Sequence, residues 1–419
     1  MSAEPLASRR GVSIQRLGSD GDGVVADPSG LIFVRTALPG DVVTLGRPRR
    51  DGKIRRADLK TVLQPSPDRV ASPCPIAARC GGCPLMSASA DLSSHFKEGL
   101  VRHALGDAPF TLERAEPTAG YRTRARLSFA HGLLGYLAPG SRSVLDVPRC
   151  AVLVPTLDAA LTWFRVAILP HLTGEGEIHL GTQEREGALT PVLALTTTDP
   201  QSPELYRRLE AAITDGMLQG AEANIAGATA RFGHPVESSR DVDGRLIEVP
   251  VGGFRQAHLD ANRLLGGAVL RLGRPEGIHV LELHAGHGNF TLPLANRATS
   301  LHAVELGEQA VSALRTNLER HQLSASVHGG DAVAHVTKLR KGAFDLVVLD
   351  PPRTGAKELM APLLKLAPPR ILYVSCAPNT LGRDLRMLRE GGYRVSEAQA
   401  FDLFPRTAHV ETVVALERA

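Results

Sequence analysis

Hydrophobic and polar positions change rhythm along this chain, and the changes divide it. Residues 11 to 64 carry short alternating apolar runs, "GVSIQRLGSDGDGVVADPSGLIFVRTALPGDVVTLG", broken by Gly, Asp and Pro. Alternation of period two between turn residues predicts a small β module. The Pro-rich "LQPSPDRVASPCP" then interrupts the pattern, and "ADLSSHFKEGLVRHAL" has helical spacing. From about 110 to 250, β-like runs such as "RTRARLSFAHGLLGYL" and "EIHLGTQEREGALTPVLALTTT" surround one further helix, "PELYRRLEAAITDG". That stretch reads as a mixed α+β unit without internal repeat.

From about 277 the pattern becomes regular. Short apolar runs, "IHVLELH", "LHAVEL", "SVHGG", "DLVVLD" and "ILYVSC", alternate with helical stretches, which predicts a parallel doubly wound sheet. After the helix "NTLGRDLRMLREGG", the strands "RVSEAQAF" and "HVETVVALE" follow with no helix between them, so they are expected to be an antiparallel pair closing the sheet edge. The fold class is therefore α/β in a chain whose 419 residues suit two or three domains. The expected division is 1–66, a small β-barrel; 67–255, a central mixed α+β domain; and 256–419, a Rossmann-like domain.

Composition adds little. The net charge is +4, and only seven of the 48 basic residues are Lys. Guanidinium forks suit phosphate, which favours an RNA partner, although a GC-rich genome produces the same bias. Between Arg47 and Arg56 stand six basic residues and one acid, Asp51. They form either a solvated face or a phosphate-contacting edge. "MSAEPLASRR" has no apolar h-region, and no uncharged apolar run reaches the ~18 residues of a membrane span, so a soluble cytoplasmic protein without membrane contact is expected. No segment points to an obligate protein partner.

The candidate chemistry lies on the regular part. In "LELHAGHGNFTLPLA", Gly286 and Gly288 let the backbone approach a ligand at the first βα turn. Glu305 ends the second strand, where a ribose diol would be held, and Asp331 ends the third, where an adenine amino group could be read. The spacing lacks the full dinucleotide fingerprint, so S-adenosylmethionine fits better than NAD. Asp350 of "LDPPRTGA" and Cys376 of "VSCAPNTLGRD" end the fourth and fifth strands, and an antiparallel last strand would bring Glu411 of "FPRTAHVETVV" to the same crevice. Cys376 precedes a helix whose N-terminus would favour a thiolate. A thiolate beside a carboxylate suits methylation of uracil at C5: addition at C6 makes C5 nucleophilic, and a base then removes the C5 proton. Cys376 is the candidate nucleophile, Glu411 the base, and Asp350 the group that orients the ring. A uridine in folded RNA must be flipped out to be reached.

Three of the five cysteines, Cys74, Cys80 and Cys83, fall within "CPIAARCGGCPLM". In a cytosolic chain such a group points to metal or redox chemistry more than to disulfides.

These residues resemble those of the RNA uracil-5 methyltransferase family, over essentially the whole chain. Residues 11 to 64, with "FVRTALPGDVV", are similar to its RNA-binding TRAM domain; "CPIAARCGGCP" and "VLDVPRC" are similar to the iron-sulfur motif of its ribosomal RNA branch; "GNFTLPLA", "DPPRTGA", "VSCAPNTLGRD" and "FPRTAHVE" are similar to its cofactor and catalytic motifs. The resemblance implies a class I methyltransferase domain, Cys376 as nucleophile, Glu411 as proton acceptor, and a methyl-donor pocket lined by Gln256, His284, Asn289, Glu305 and Asp350. It also implies that Cys150 joins Cys74, Cys80 and Cys83. Four thiolates suit zinc as well as iron-sulfur by spacing alone; the resemblance implies a [4Fe-4S] cluster, with a structural and RNA-positioning role because it lies far in sequence from the methyl-transfer residues. The cysteine cluster favours ribosomal over transfer RNA. Departures are His284 and Ala285, where an aromatic and a Cys are usual, Ala377 in place of Asn, and His258 in place of Asn. A cytosine-5 methyltransferase would place its thiol where Arg353 stands, and an amino-group methyltransferase would want an aromatic there. A non-catalytic RNA-binding protein on the same fold is the alternative of a different class.

Overall fold

The computed structural model describes residues 11–419. The first ten residues of the expected N-terminal unit lie outside the described residues.

Eight short strands open the described residues: β1 (Val12–Ser13), β2 (Arg16–Leu17), β3 (Gly23–Asp27), β4 (Gly30–Val34), β5 (Val42–Leu45), β6 (Arg49–Asp51), β7 (Ile54–Ala57) and β8 (Leu59–Gln64). They form sheets of order β1-β5-β8 and β2-β3-β4-β7-β6. Both close on one small core containing Val12, Ile14, Val25, Ile32, Val34 and Val43, as the alternating pattern requires. The basic stretch is the β6–β7 hairpin. Half of its cations are ion-paired: Arg49 with Asp58, Arg55 with Asp27, and Arg56 with Asp22 and Asp51. Arg47, Arg50 and Lys53 are exposed.

Helix α1 (Ala90–Leu105) starts at Ser89, whose hydroxyl accepts the Leu92 amide at 3.1 Å. Strand β9 (Phe110–Arg114) follows. Next come β10 (Arg124–Ala130), β11 (Leu133–Leu137), β12 (Val144–Asp146), α2 (Pro155–Ala167), β13 (Glu175–Arg185), β14 (Ala188–Thr197), α3 (Pro203–Thr214), β15 (Gly220–Ile225) and β16 (Ala228–Gly233). Six of these strands and β16 make a seven-stranded sheet, β12-β11-β10-β13-β14-β15-β16, without β9. Leu157, Leu161 and Phe164 of α2 and Leu205 and Leu209 of α3 cover one of its faces. The hairpin β17 (Val236–Arg240) and β18 (Leu246–Pro250) leads out of it.

The C-terminal part alternates α4 (Ala261–Gly273), β19 (His279–Leu283), α5 (Thr291–Ala295), β20 (Ser300–Glu305), α6 (Glu308–Arg320), β21 (Ser326–Gly329), α7 (Ala332–Val336), β22 (Leu346–Leu349), α8 (Lys357–Leu366), β23 (Arg370–Ser375) and α9 (Pro378–Glu390), then β24 (Tyr393–Asp402) and β25 (Glu411–Arg418). The sheet order is β21-β20-β19-β22-β23-β25-β24-β9. Strands β19 to β23 are parallel, and β25 runs antiparallel between β23 and β24. Central strands such as "LVVL" of β22 are buried on both faces, which explains their unbroken apolar runs. Helices α4, α5 and α6 pack on one face, and α7, α8 and α9 on the other.

One expectation is corrected here. The pair β24–β25 does not close the edge, because β9 adds to β24 in parallel, with Ala400 opposite Leu112. Helix α1 goes with it, packing Val101, Ala104 and Leu105 into the core shared with Leu381, Leu385 and Leu388 of α9. Residues 90–114, assigned to the central unit by their position in the chain, are thus built onto the C-terminal sheet. The reason is burial: an edge strand leaves its hydrogen-bonding groups unpaired, and β9 covers that edge. No described helix is long and apolar enough to cross a membrane.

Candidate active site

The expected residues gather at the carboxyl ends of the parallel strands. Strands β23 and β25 pair antiparallel up to Ser375 opposite Thr412, one residue short of Cys376 and Glu411. The end of one strand and the start of the other therefore lie side by side, as the topology argument required. Asp350 follows β22, the neighbour of β23.

Electrostatics confirm the grouping. Burial pushes Cys376 up to about 11, with the charges of Glu411 and Asp350 adding to the rise and Arg353 opposing it. Burial likewise holds Glu411 up to about 8, again with Asp350 raising it and Arg353 lowering it. Asp350 is raised to about 7 by burial. Burial and two nearby acids thus oppose the ionisation that the helix N-terminus was expected to favour. Arg353, whose guanidinium stands 3.2 Å from His409 Nε2, is the cation that favours the thiolate.

The turn after β19 carries the ligand-cradle features. Gly286 and Gly288 have φ of +57° and +104°. A Cβ at Gly288 would meet Leu292 Cδ1 at 2.6 Å and Leu314 Cδ1 at 2.8 Å, so only glycine brings the turn this close to the helices behind it. Glu305 braces the turn, accepting from Gly286 N at 2.9 Å and Gly307 N at 2.8 Å. His284 adopts φ +62°, and burial lowers its basicity. Asn289 Oδ1 is buried with no protein donor, as a group reserved for a ligand would be. Asp331 caps α7 through Oδ1 to Ala334 N at 2.8 Å, a structural duty the sequence does not reveal.

Gln256 sits on the loop between β18 and α4, beside an ion pair buried among three elements. Arg255 donates to Glu237 Oε2 at 2.8 Å, Thr123 Oγ1 at 2.8 Å, Thr123 O at 2.9 Å and Thr182 Oγ1 at 3.0 Å. This clamp fixes the loop to the central sheet. His258 is buried, accepts from Asp260 N at 3.1 Å, and stacks on Tyr121 at 5.1 Å.

Sequence reasoning missed Glu282. It lies in the middle of β19, only 2% exposed, with Oε2 unpartnered and its carboxyl pushed up to about 8 by burial. Asp350 and Glu305 both act on it. The signal was available: an acid inside the otherwise apolar "HVLEL" of a strand buried on both faces.

Cys74, Cys80, Cys83 and Cys150 all line one cavity of about 70 Å³, with Tyr136, Met86 and Arg122. The Tyr136 hydroxyl lies 3.8 Å from Cys150 Sγ. Burial pushes Cys83 up to about 12, with Cys150 and Cys80 adding to the rise. The four thiols thus converge as a soft donor set. As placed, no group of three or more His, Cys, Asp or Glu among the described residues could hold a metal ion. The thiols are far in sequence from Cys376 and Glu411, but Cys74, Cys83 and Cys150 pack against the same buried residues, Ala77, Met86, Tyr121 and Val152, as does Phe404 of the loop leading into Glu411.

A doubly wound sheet with a glycine turn after its first strand, a braced acid at the end of its second and an antiparallel strand, β25, inserted between β23 and β24 has the class I methyltransferase fold. Residues 333–419 match the family model described as tRNA (Uracil-5-)-methyltransferase, and residues 250–368 match the Methyltransferase small domain. The chain is 34% identical to the 23S rRNA (uracil(1939)-C(5))-methyltransferase RlmD of Chromohalobacter salexigens, covering 98% of this chain and 90% of that one. It is 32% identical to the protein of the same name from Alkalilimnicola ehrlichii, covering 97% and 96%. In three dimensions it is similar to the Pyrococcus abyssi tRNA (uracil-54, C5)-methyltransferase solved with S-adenosyl-L-homocysteine, with TM-score 0.78, 24% identity, and 97% of this chain and 100% of that one covered. The chain belongs to the RNA uracil-C5 methyltransferase family and is an enzyme.

Proposed function

We propose that this enzyme methylates C5 of a uridine in ribosomal RNA, with Cys376 as nucleophile and Glu411 as proton acceptor. The observation that carries the reading is the placement of Cys376 and Glu411 at adjoining ends of paired antiparallel strands, beside Asp350 and Arg353. Cys376 adds to C6 as a thiolate, and Arg353 offsets the acids that oppose its ionisation. S-adenosylmethionine supplies the electrophilic methyl group that C5 then takes. Glu411 removes the C5 proton, and the electron pair left behind restores the C5–C6 double bond as Cys376 departs. A carboxyl held near 8 is a stronger base than an ordinary one and matches a neutral working pH. Asp350 orients the ring. Gln256, His284, Gly286, Asn289, Glu305 and Asp331 hold the donor, an assignment supported by the orphaned Asn289 Oδ1 and the braced glycine turn.

The four converging thiols of Cys74, Cys80, Cys83 and Cys150 would hold a [4Fe-4S] cluster, whose four cysteine ligands they match in number and type. Arg47, Arg50 and Lys53, exposed on and beside the β6–β7 hairpin, would contact RNA phosphates as a TRAM domain does. Ribosomal RNA is favoured by the names of the relatives that match nearly end to end; transfer RNA is the second reading, supported by the Pyrococcus enzyme.

The test is a denaturing gel of anaerobically purified protein, S-adenosylmethionine and 5-fluorouridine-substituted RNA. Fluorine at C5 does not leave as a proton, so the adduct is trapped. A shifted band with 23S fragments, lost in Cys376→Ala, is expected; a band with transfer RNA alone would move the substrate, and no band with either would sink the thiolate mechanism.

A further inference from the structure

Three successive carbonyls in the loop before Glu411 are held from outside that loop. Phe404 O accepts from Lys97 Nζ at 3.0 Å, Pro405 O from the Tyr121 hydroxyl at 3.0 Å, and Arg406 O from Leu85 N at 3.0 Å. Arg406, at φ +71°, donates in return to Ala88 O at 2.9 Å. Lys97 also pairs with Asp402 at the start of the loop. Leu85 and Ala88 lie two and five residues after Cys83 in the chain.

Tyr121 is the hub of these contacts. It is fully buried and packs with Ala77, Met86 and Val152, against which Cys74, Cys83, Cys150 and Phe404 lie. Its ring stacks on His258 at 5.1 Å, two residues beyond Gln256. One side chain therefore packs with Ala77, Met86 and Val152 of the cysteine cavity's lining, and touches the loop that delivers Glu411 and the segment carrying Gln256. Packing alone would be served by phenylalanine. The hydroxyl must find a partner once buried, and it finds it in Pro405 O, which lies between the carbonyls held by Lys97 and the Leu85 amide.

We propose that Tyr121 is a positioning residue for proton abstraction: its hydroxyl, with Lys97 and the Leu85 amide, locks residues 402–410 against the cysteine segment so that Glu411 stands over C5 of the uracil held by Cys376. The proposal rests on the assignment of Cys376 and Glu411 above. In the step concerned the C5–H bond breaks, its proton passes to the Glu411 carboxylate, its electron pair forms the C5–C6 double bond, and the Cys376–C6 bond breaks to return the thiolate. A misplaced Glu411 slows this step and leaves thiol addition and methyl transfer intact. Methylated RNA still bound to Cys376 then accumulates.

The experiment compares wild type, Tyr121→Phe and Glu411→Gln on ordinary RNA with S-adenosylmethionine, quenched in denaturant and run on a denaturing gel. Turnover is also measured with uridine deuterated at C5. For Tyr121→Phe, turnover should fall roughly 10- to 100-fold with the S-adenosylmethionine KM within about twofold, as expected for a displaced catalytic group. A covalent band should build up, and the deuterium effect should exceed that of wild type. Adduct yield with 5-fluorouridine RNA, which needs no proton abstraction, should stay at the wild-type level and so report an intact fold. Normal turnover in Tyr121→Phe, slowed turnover without band or isotope effect, or a loss of the fluorinated adduct would each overturn the proposal. If Glu411→Gln itself accumulates no adduct, the assignment of Glu411 falls, and the proposal with it; a band in Glu411→Gln without one in Tyr121→Phe removes only Tyr121.

Discussion

Replacing Glu411 by Gln should speed alkylation of Cys376 above the pH at which Glu411 ionises and leave it unchanged below. The thiol is held up at about 11 first by burial, then by Glu411 and Asp350, against Arg353. Only a charged Glu411 can contribute, and its own carboxyl is held up to about 8. At about pH 6.5 it is neutral in the wild type, so the substitution changes nothing there; at about pH 9 it is charged, and removing it lowers the thiol's pKa. Burial is the largest cause and Glu411 the second, so removing Glu411 should raise the thiolate fraction by on the order of tenfold. A less basic thiolate is also a weaker nucleophile, which gives back about half of that gain on a logarithmic scale and leaves roughly threefold. The assay is iodoacetamide labelling at the two pH values, with the Cys376 peptide followed by mass spectrometry. An equal acceleration at both pH values, or a slower reaction at the higher one, would refute the reasoning.

Two further outcomes follow from buried charge. Arg255→Met leaves Glu237, wholly buried, with Gly252 N at 3.1 Å and Arg124 at 3.7 Å as its remaining partners, so a loss of about 3 kcal/mol is expected, read as a lower denaturant midpoint. Weaker S-adenosylmethionine binding by calorimetry should accompany it, since Gln256 is the next residue. Glu282 has a carboxyl raised by burial to about 8, so its folded state favours the protonated form: that stability is present in full below the ordinary carboxylate range and is lost as pH rises through about 8. Thermal melts of Glu282→Gln should therefore match wild type near about pH 5 and lie above it near about pH 9. A difference that is larger at the lower pH would reverse the sign and reject the argument.

The approach of Cys376 to Glu411 was legible in the sequence from chain order, once the last strand is taken to lie beside β23. Two strands without an intervening helix are expected to pair antiparallel, and the one beside β23 then starts where that strand ends. Glu411 opens β25, and Cys376 follows the last residue of β23. The parallel strands were legible for a related reason: sandwiched between helix layers, they cannot alternate, and their apolar runs stand out from the amphipathic helices between them. The proposed donor pocket was only partly legible. Glu305 follows from its place at the end of β20, but the buried state of Glu282 and the capping duty of Asp331 depend on what packs around each carboxylate.

What the sequence hides is which surface an element chooses. The spacing of α1 marks a helix, but nothing in it says that the helix packs on α9, or that β9 leaves the neighbouring seven-stranded sheet to cover the edge at β24. Lys97 illustrates the cause. A lysine in a helical pattern reads as solvated, yet this one is fully buried because Asp402 and the Phe404 carbonyl, some 305 residues further along, receive its ammonium. That pairing fixes α1, and α1 brings the segment that follows the cysteines against the loop before Glu411. Separation along the chain had argued that the thiols serve a function apart from the chemistry. Docking of a helix onto the far edge of the sheet brings the two segments together, so Cys83 and the loop before Glu411 are linked through Leu85 and Tyr121, and under the proposed assignment a change in the order of the cysteine segment would reach Glu411 through these hydrogen bonds.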